Sequence, residues 1–331
     1  MQSSKGNVVE SKVNMDKPFG NLNFSVYRLT LLAEERIQLP RFNKGITLRG
    51  AFGTVFRRLV CHDLKADCAT CRLAENCPYC HVFNPLVPSD AKRLRLNRDI
   101  PRPFVIKPPL EGGDVYEPGE CLCFDLVVVG KAQDFLPYFI VTFEELGRQG
   151  IGVGRGKYQL KQLEAMTQDG SWREIYDYKS RMVRPPEACL DAGRLVENGN
   201  AFENRLHIQF LTPVLLKERG RWVKPEFGPL MKRLRDRVNA LAYFYCQDTL
   251  DMDFKEFGDR AERVRSVKDD LRWVEEKRYS KNRNLNHMLK GYVGDVVFEG
   301  ELGSFLGLLR LGEFFHVGKA TAFGQGWYRI M

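Results

Sequence analysis

The spacing of apolar residues along this chain switches between a period of two and a period near 3.6, and the order of the switches occurs twice. In the C-terminal half, Leu206, Ile208 and Phe210 alternate with His207 and Gln209 within Arg205–Leu216, the pattern of a strand with one buried face. Phe227, Leu230, Met231, Leu234, Val238, Leu241 and Tyr245 then fall on one side of a long helix. Asp270–Arg278 and Tyr292–Glu299 predict two strands joined by a polar, basic connection. Leu302–Phe315 predicts a second helix, weakened by three glycines, and Gln325–Ile330 a closing strand.

The N-terminal half gives the same string. Phe24–Leu32 predicts a strand, and Ile46–Leu64 a helix with Ala51, Phe52, Val55, Phe56, Leu59 and Val60 on one face. Pro103–Lys107 and the continuous apolar run Cys121–Val129 predict two strands; Phe135–Leu146 predicts a helix and Tyr158–Glu164 a last strand. Each half therefore reads βαββαβ, and each ends in helix, glycine-rich loop and aromatic-bearing strand. The expected fold class is α+β, with tandem ferredoxin-like domains and a cysteine-rich insertion. The expected layout is a flexible tail at 1–20, an N-terminal domain at 21–180 with the insertion at 61–81, a linker at 181–201 and a C-terminal domain at 202–331.

The chain has 331 residues, enough for two domains of ordinary size. A net charge of +9 favours an anionic partner such as nucleic acid. No apolar run approaches the roughly 18 residues of a membrane span, and the polar N-terminus has no secretory core, so the expected location is cytoplasmic, without a membrane partner. Disulfides are then disfavoured for the nine cysteines. Five of them fall between Cys61 and Cys80, where Cys68 and Cys71, then Cys77 and Cys80, form two Cys-x-x-Cys pairs. Four thiolates suit a structural zinc ion, the preferred reading, or an iron–sulfur cluster. Four protein ligands leave no open position for a substrate, so neither group would serve catalysis.

Two glycine-rich loops precede the two closing strands. The C-terminal one runs from His316 through Gly318, Lys319, Gly324, Gln325 and Gly326; the N-terminal one is Gly150-Ile-Gly-Val-Gly-Arg155-Gly156. Glycine lets the backbone come close to a ligand, and a basic residue beside it suits a phosphate backbone. A tight helix-to-strand turn without a ligand is the plainer alternative. A dinucleotide-binding fingerprint is excluded, because there the strand comes first and the helix follows. The basic connection carries Lys277, Arg278, Lys281 and Arg283 around Tyr279, charge beside an aromatic ring as in single-stranded nucleic-acid binding. Another basic run, Lys92–Arg98, follows the cysteines, whereas Lys232–Arg237 reads as a solvated helical face. Among five histidines, His62 closes the first helix and His316 opens the C-terminal loop, and His207 falls on an exposed strand face. Histidine titrates near neutrality, so the first two are the candidates for proton transfer.

In this setting the C-terminal loop, His316-Val-Gly318, Lys-Ala-Thr-Ala-Phe323, Gly324-Gln-Gly326, resembles the signature of the CRISPR-associated repeat-RNA-processing endoribonucleases. This is the Cas "six" family of the repeat-associated mysterious protein superfamily. The signature is Gly-hydrophobic-Gly, five residues including a basic one, and Gly-hydrophobic-Gly; here His316 and Gln325 depart from it. Leu48-Arg-Gly-Ala-Phe-Gly53, the Cys68/Cys71/Cys77-Pro-Tyr cluster followed by Phe83, Glu145-Leu-Gly147 and Arg278-Tyr-Ser280 are similar, in the same order, to segments of a cysteine-rich branch. The resemblance implies binding of the CRISPR repeat in a precursor transcript and one metal-independent cut. The ribose 2′-OH would attack the adjacent phosphate and leave a 2′,3′-cyclic phosphate. It implies His62 as base, with His316 as the alternative. Gly318, Lys319, Gly324, Gln325 and Gly326, with Arg278, Tyr279, Arg283 and Arg155, would be RNA contacts. Some superfamily members bind RNA without cutting it, so the rival expectation is a non-catalytic RNA-binding subunit among CRISPR effector-complex subunits. A metal-stabilised DNA-binding regulator ranks lower, for want of a helix-turn-helix or finger spacing.

Overall fold

The computed structural model describes residues 19–41, 44–87, 100–184, 189–197, 204–278 and 287–331. The first unit runs β1 (Asn23–Ala33), α1 (Lys44–Val60), β2 (Phe104–Lys107), β3 (Cys121–Val129), α2 (Leu136–Gln149) and β4 (Tyr158–Met166). An edge strand that the apolar pattern does not predict, β5 (Trp172–Asp177), follows. The sheet order is β2-β3-β1-β4-β5 with every pair antiparallel, the ferredoxin-like arrangement plus one strand.

The second unit runs β6 (Arg205–Val214), a hairpin of β7 (Leu216–Glu218) and β8 (Arg221–Val223), then α3 (Phe227–Cys246) and α4 (Phe254–Ala261). It continues with β9 (Arg265–Asp269), β10 (Arg272–Arg278), β11 (His287–Glu299), α5 (Leu306–Phe315) and β12 (Tyr328–Ile330). Here the order is β9-β11-β6-β12, with β10 also on β11. A break after Asp269 divides what would be one strand into β9 and β10, and each half pairs with its own stretch of β11. The duplication reaches single contacts. Each closing strand opens on a buried tyrosine whose hydroxyl donates to a carbonyl of the preceding helix: Tyr158 to Phe143 O (2.9 Å) and Tyr328 to Leu309 O (2.6 Å).

The molecule is layered helix, sheet, helix, sheet. Leu29 and Leu31 of β1 with Leu122, Phe124, Leu126 and Val128 of β3 pack under α1 and α2. Phe52 of α1 stacks on Phe139 and Phe143 of α2 at 5.1 Å. The opposite face of this sheet, Phe24, Val26, Val105, Val127 and Val129, joins the core of the second unit, where Phe24 meets Phe315 at 4.8 Å. Burial on both faces is why Cys121–Val129 reads as a continuous apolar run instead of alternating. In the second sheet, Leu206, Ile208 and Phe210 point into the α3/α5 layer. Their neighbours His207 and Gln209 lie on the open face and bind Asp295 there, so His207 is half-buried and paired, not simply exposed.

Two expected features come out differently. Within the expected linker, Leu190–Asp191 pairs with Asn23–Phe24 of β1, and Leu190 and Ala192 are fully buried, so this stretch is part of the core. Residues 61–81 form two single 3₁₀ turns and a short helix, Pro78–Val82, whose Phe83 end packs over α1. Most of the expected tail, the Lys92–Arg98 run, Tyr279 and Arg283 lie outside the described residues, as does the side chain of Arg278. Among the described residues no helix is long and apolar enough to cross a membrane.

Candidate nucleic-acid interface

The C-terminal loop is anchored on three sides before it can meet any ligand. Val317 N donates to Gly326 O, Lys319 N to Leu215 O and Gly326 N to Pro213 O. Thr212 Oγ1 donates to Gly324 O at 2.7 Å and accepts from Trp327 N at 2.9 Å. Gly324 N and Gln325 N donate to Thr321 O and Ala320 O. These bonds fix the chain reversal at Gly326, where φ is +67° and a Cβ would stand 1.8 Å from Val317 O.

This geometry corrects part of the expectation. Gly324, Gln325 and Gly326 are buried and their N–H groups are spent on Thr321, Ala320 and Pro213 carbonyls, so they shape the site without reaching a phosphate. Gly324 lies against Pro108 and the carbonyl of Ile106 at the end of β2, and Arg49 of α1 stacks on Phe323. The loop is thus a joint between the two units. Gly318 and the exposed Lys319 do face outward.

His316 is also corrected. It is fully buried, stacked on Trp327 (5.7 Å, 8°), with Nδ1 against Gln325 O at 3.2 Å. Burial first, then the nearby Lys107 and Arg237 charges, holds its imidazole well below the usual range and therefore neutral. A base needs contact with the proton it removes, and this ring is sealed from any substrate. His62 is exposed, just beyond the end of α1. It lies 13 residues past Arg49, where α1 meets the loop, which is about 20 Å along a helix axis.

What the loop does border is a cleft of about 700 Å³. Its walls are residues 318–323, the β7–β8 hairpin, one side of α3 and the segment before β2. Six basic side chains, Arg102, Lys217, Arg219, Arg233, Arg237 and Lys319, line it against one acid, Asp236. That acid is already engaged, 3.1 Å from Arg233 and 2.7 Å from Arg235. The helical run Lys232–Arg237 is therefore not a solvated face. Arg235 is buried, donating to Phe254 O and packing over the Phe254 ring, and Arg237 donates from Nε to Phe315 O at the end of α5. The hairpin residues were passed over in the sequence, although Lys217, Arg219 and Arg221 around Gly220, next to Trp222, are a compact basic–aromatic turn. Trp222 is 47% exposed, and Lys217 Nζ sits 5.6 Å from its ring.

None of the N-terminal loop's residues lines that cleft. Arg155 is exposed with φ +57°, and the adjacent Lys157 is paired with Glu35 at 3.2 Å. At the cysteines, the buried thiol of Cys80 is pushed upward, by burial first and then by the adjacent Cys77 and Cys68 thiols. Three sulfurs converge there. Even so, no group of three or more His, Cys, Asp or Glu side chains among the described residues is arranged to hold a metal ion. The donor chemistry suits zinc; the arrangement is not closed around one.

Comparison with known proteins agrees with this architecture. Residues 208–328 match the family model of the CRISPR-associated endoribonuclease Cas6, and residues 22–188 match a model described as an N-terminal domain. An uncharacterized protein of Archaeoglobus fulgidus is 25% identical over 317 residues, covering 93% of this chain and 99% of that one. A Cas6 product complex from Thermus thermophilus superposes with a TM-score of 0.54 at 16% identity, covering 93% of this chain and 100% of that one. A second Cas6 product complex gives 0.52 at 16% identity over 93% and 99%. A chain of a partial Cas6-RT-Cas1–Cas2 complex gives 0.57 at 14% identity over 96% of this chain and 47% of that one. At these identities the superpositions establish the fold, tandem ferredoxin-like units, across the described parts of both halves.

Proposed function

We propose that the chain, as a member of the Cas6 family of CRISPR-associated endoribonucleases, binds CRISPR repeat RNA in the cleft beside the glycine loop and cuts the precursor transcript there. The observation that carries this reading is the unbalanced charge of the cleft, six bases against one acid that is already paired. An RNA backbone is the polyanion such a surface suits, and its fixed cations would stabilise the charge that builds on a phosphate under attack. The proposed chemistry is attack of a ribose 2′-OH on the adjacent phosphate, with the 5′-oxygen leaving and a 2′,3′-cyclic phosphate remaining. Lys319 and Arg219 are the side chains proposed to meet that phosphate. The loop's buried glycines hold Lys319 in place.

A second reading, an RNA-holding subunit that does not cut, is favoured by one observation: no histidine is among the residues lining the cleft. Incubation of the pure protein with repeat RNA in EDTA, with mapping of product ends, separates the two. One cut with a cyclic phosphate end supports the nuclease; tight binding without a cut supports the holding subunit. His62→Ala then locates the base. Cutting reduced about 10²–10⁴-fold with unchanged binding would assign it to His62 and place the cut at the far end of α1. Unchanged cutting removes His62 from the mechanism. The proposal of a structural zinc at Cys68, Cys71, Cys77 and Cys80 is tested by metal analysis of protein purified without oxygen. One zinc per chain is expected; no metal, or iron with sulfide, overturns it.

A further inference from the structure

We infer that Arg237 of α3 seats one phosphate of the bound RNA, in a subsite of the cleft that the glycine loop does not itself provide. The inference rests on the RNA-binding reading above but comes from a different observation. The Nη2 of Arg237 has no hydrogen-bond partner among the described residues, and the side chain lines the cleft. A guanidinium carries five N–H donors in a planar fork matched to phosphate oxygens. Its Nε donates to the carbonyl of Phe315 at 2.8 Å. Capping the negative end of α5 explains that bond and leaves Nη2 unused.

Among the described residues no carboxylate pairs with this charge. The neighbouring Asp236 turns to Arg233 and Arg235. Burial lowers the Arg237 pKa to about 10, so the group is still charged at neutral pH. A desolvated cation without a counter-ion is costly to the free protein, and an anion entering the cleft would offset that cost. Lys217 and Arg219 from the hairpin and Lys319 from the loop line the same cleft. The exposed Trp222 ring on the hairpin offers a stacking surface for a base beside the seated phosphate.

The test uses the full chain with inorganic phosphate as probe, read by thermal unfolding against chloride at matched ionic strength, alongside titration with repeat RNA. Wild type is expected to melt several degrees higher in phosphate than in chloride. Arg237→Met should melt at or above wild type in chloride, lose the phosphate response, and bind repeat RNA at least 10-fold more weakly. The salt slope of that binding should flatten by about 0.7, the share of one phosphate contact. A variant that melts lower in chloride but responds fully to phosphate would make Arg237 a helix cap only. Should Arg237→Met fail to fold, Arg237→Lys keeps the charge without the fork. A reduced phosphate response in that variant supports the seat, and an undiminished one overturns it. A wild-type phosphate response without repeat-RNA binding would keep the subsite and sink the RNA reading. RNA binding without any phosphate response would do the reverse.

Discussion

The two glycine loops are built alike and end differently. Each follows a helix, passes through residues of positive φ and enters a strand that opens on a buried tyrosine. The N-terminal loop folds back on its own unit: Val153 N donates to Gln38 O, and Gly152 lies so close to that carbonyl that a Cβ would stand 2.2 Å away. The C-terminal loop reaches out of its unit, with Gly324 against Ile106 and Pro108 and Phe323 under Arg49. Around the first loop, Lys157 and Arg36 are paired with Glu35 and Glu117; beside the second, Lys217, Arg219 and Lys319 have no acidic partner among the described residues and face one cleft. The same turn chemistry serves a closure in one case and a site wall in the other. What separates them is the charge left unpaired next to the turn.

Backbone crowding gives the largest expected effects. Gly324→Ala would place a Cβ 2.3 Å from Pro108 Cδ and 2.6 Å from Ile106 O at φ +81°. Gly152→Ala would place one 2.2 Å from Gln38 O at φ +75°. Each should cost about 2–4 kcal/mol in urea unfolding, as backbone strain and forced repacking commonly do. Gly154→Ala, with nothing within 4 Å, should cost only about 1 kcal/mol for its φ. RNA affinity separates the two loops: Gly324→Ala should lower it about 10-fold or more by moving Lys319, and Gly152→Ala should leave it unchanged. Equal losses of RNA binding in both would make the N-terminal loop a second RNA site.

Strands, helices and the repeat were legible because amphipathic faces imprint their period on the chain. The second face of β3 was visible as a continuous apolar run, but the packing of that sheet face, such as Phe24 of β1 on Phe314 and Phe315, joins residues about 290 positions apart and has no local signature. The edge strand Trp172–Asp177 escaped because Arg173 and Glu174 are exposed and break its alternation. Lys319 was legible as a basic residue in a glycine loop. Arg237 was not, because a charge run on a helix looks solvated until the next unit closes over it. The spent N–H groups were equally hidden: those of Gly324 and Gln325 turn back to Thr321 O and Ala320 O within the loop, and that of Gly326 reaches Pro213 O more than a hundred positions earlier.

A subtler contrast lies at the helix ends. Gly150 and His316 are the matching C-cap residues, at φ +78°, ψ 156° and φ +59°, ψ 171°. That region is essentially reserved for glycine, so His316 carries backbone strain of about 1–3 kcal/mol, held by its burial and the Trp327 stack. The buried ring also makes the fold acid-sensitive. Its folded-state pKa is depressed well below 6.5, whereas in the unfolded chain it titrates normally. As pH falls below about 6.5, only the unfolded state takes up this proton, so stability drops by up to about 1.4 kcal/mol per pH unit. His316→Gly, which copies the N-terminal loop, should remove that slope in unfolding measured from pH 7 to 5. A slope unchanged in the variant would show that other groups govern it.

The smallest expected effect is the most direct comparison of the loops as binding devices. Lys319 and Arg155 are both exposed cations in glycine-rich turns, and only Lys319 borders the basic cleft. A single phosphate contact with single-stranded RNA contributes about −0.7 to the slope of log K against log salt. Lys319→Ala should therefore flatten the slope for repeat RNA by about that amount and weaken binding several-fold at low salt. Arg155→Ala should change neither, because its loop faces no surplus of positive charge that would draw the backbone there. If both substitutions flatten the slope equally, the RNA crosses both units, and unpaired charge beside the turn is not what separates a site wall from a closure. If neither does, the cleft is held by its deeper cations, and Lys319 is only a surface lysine.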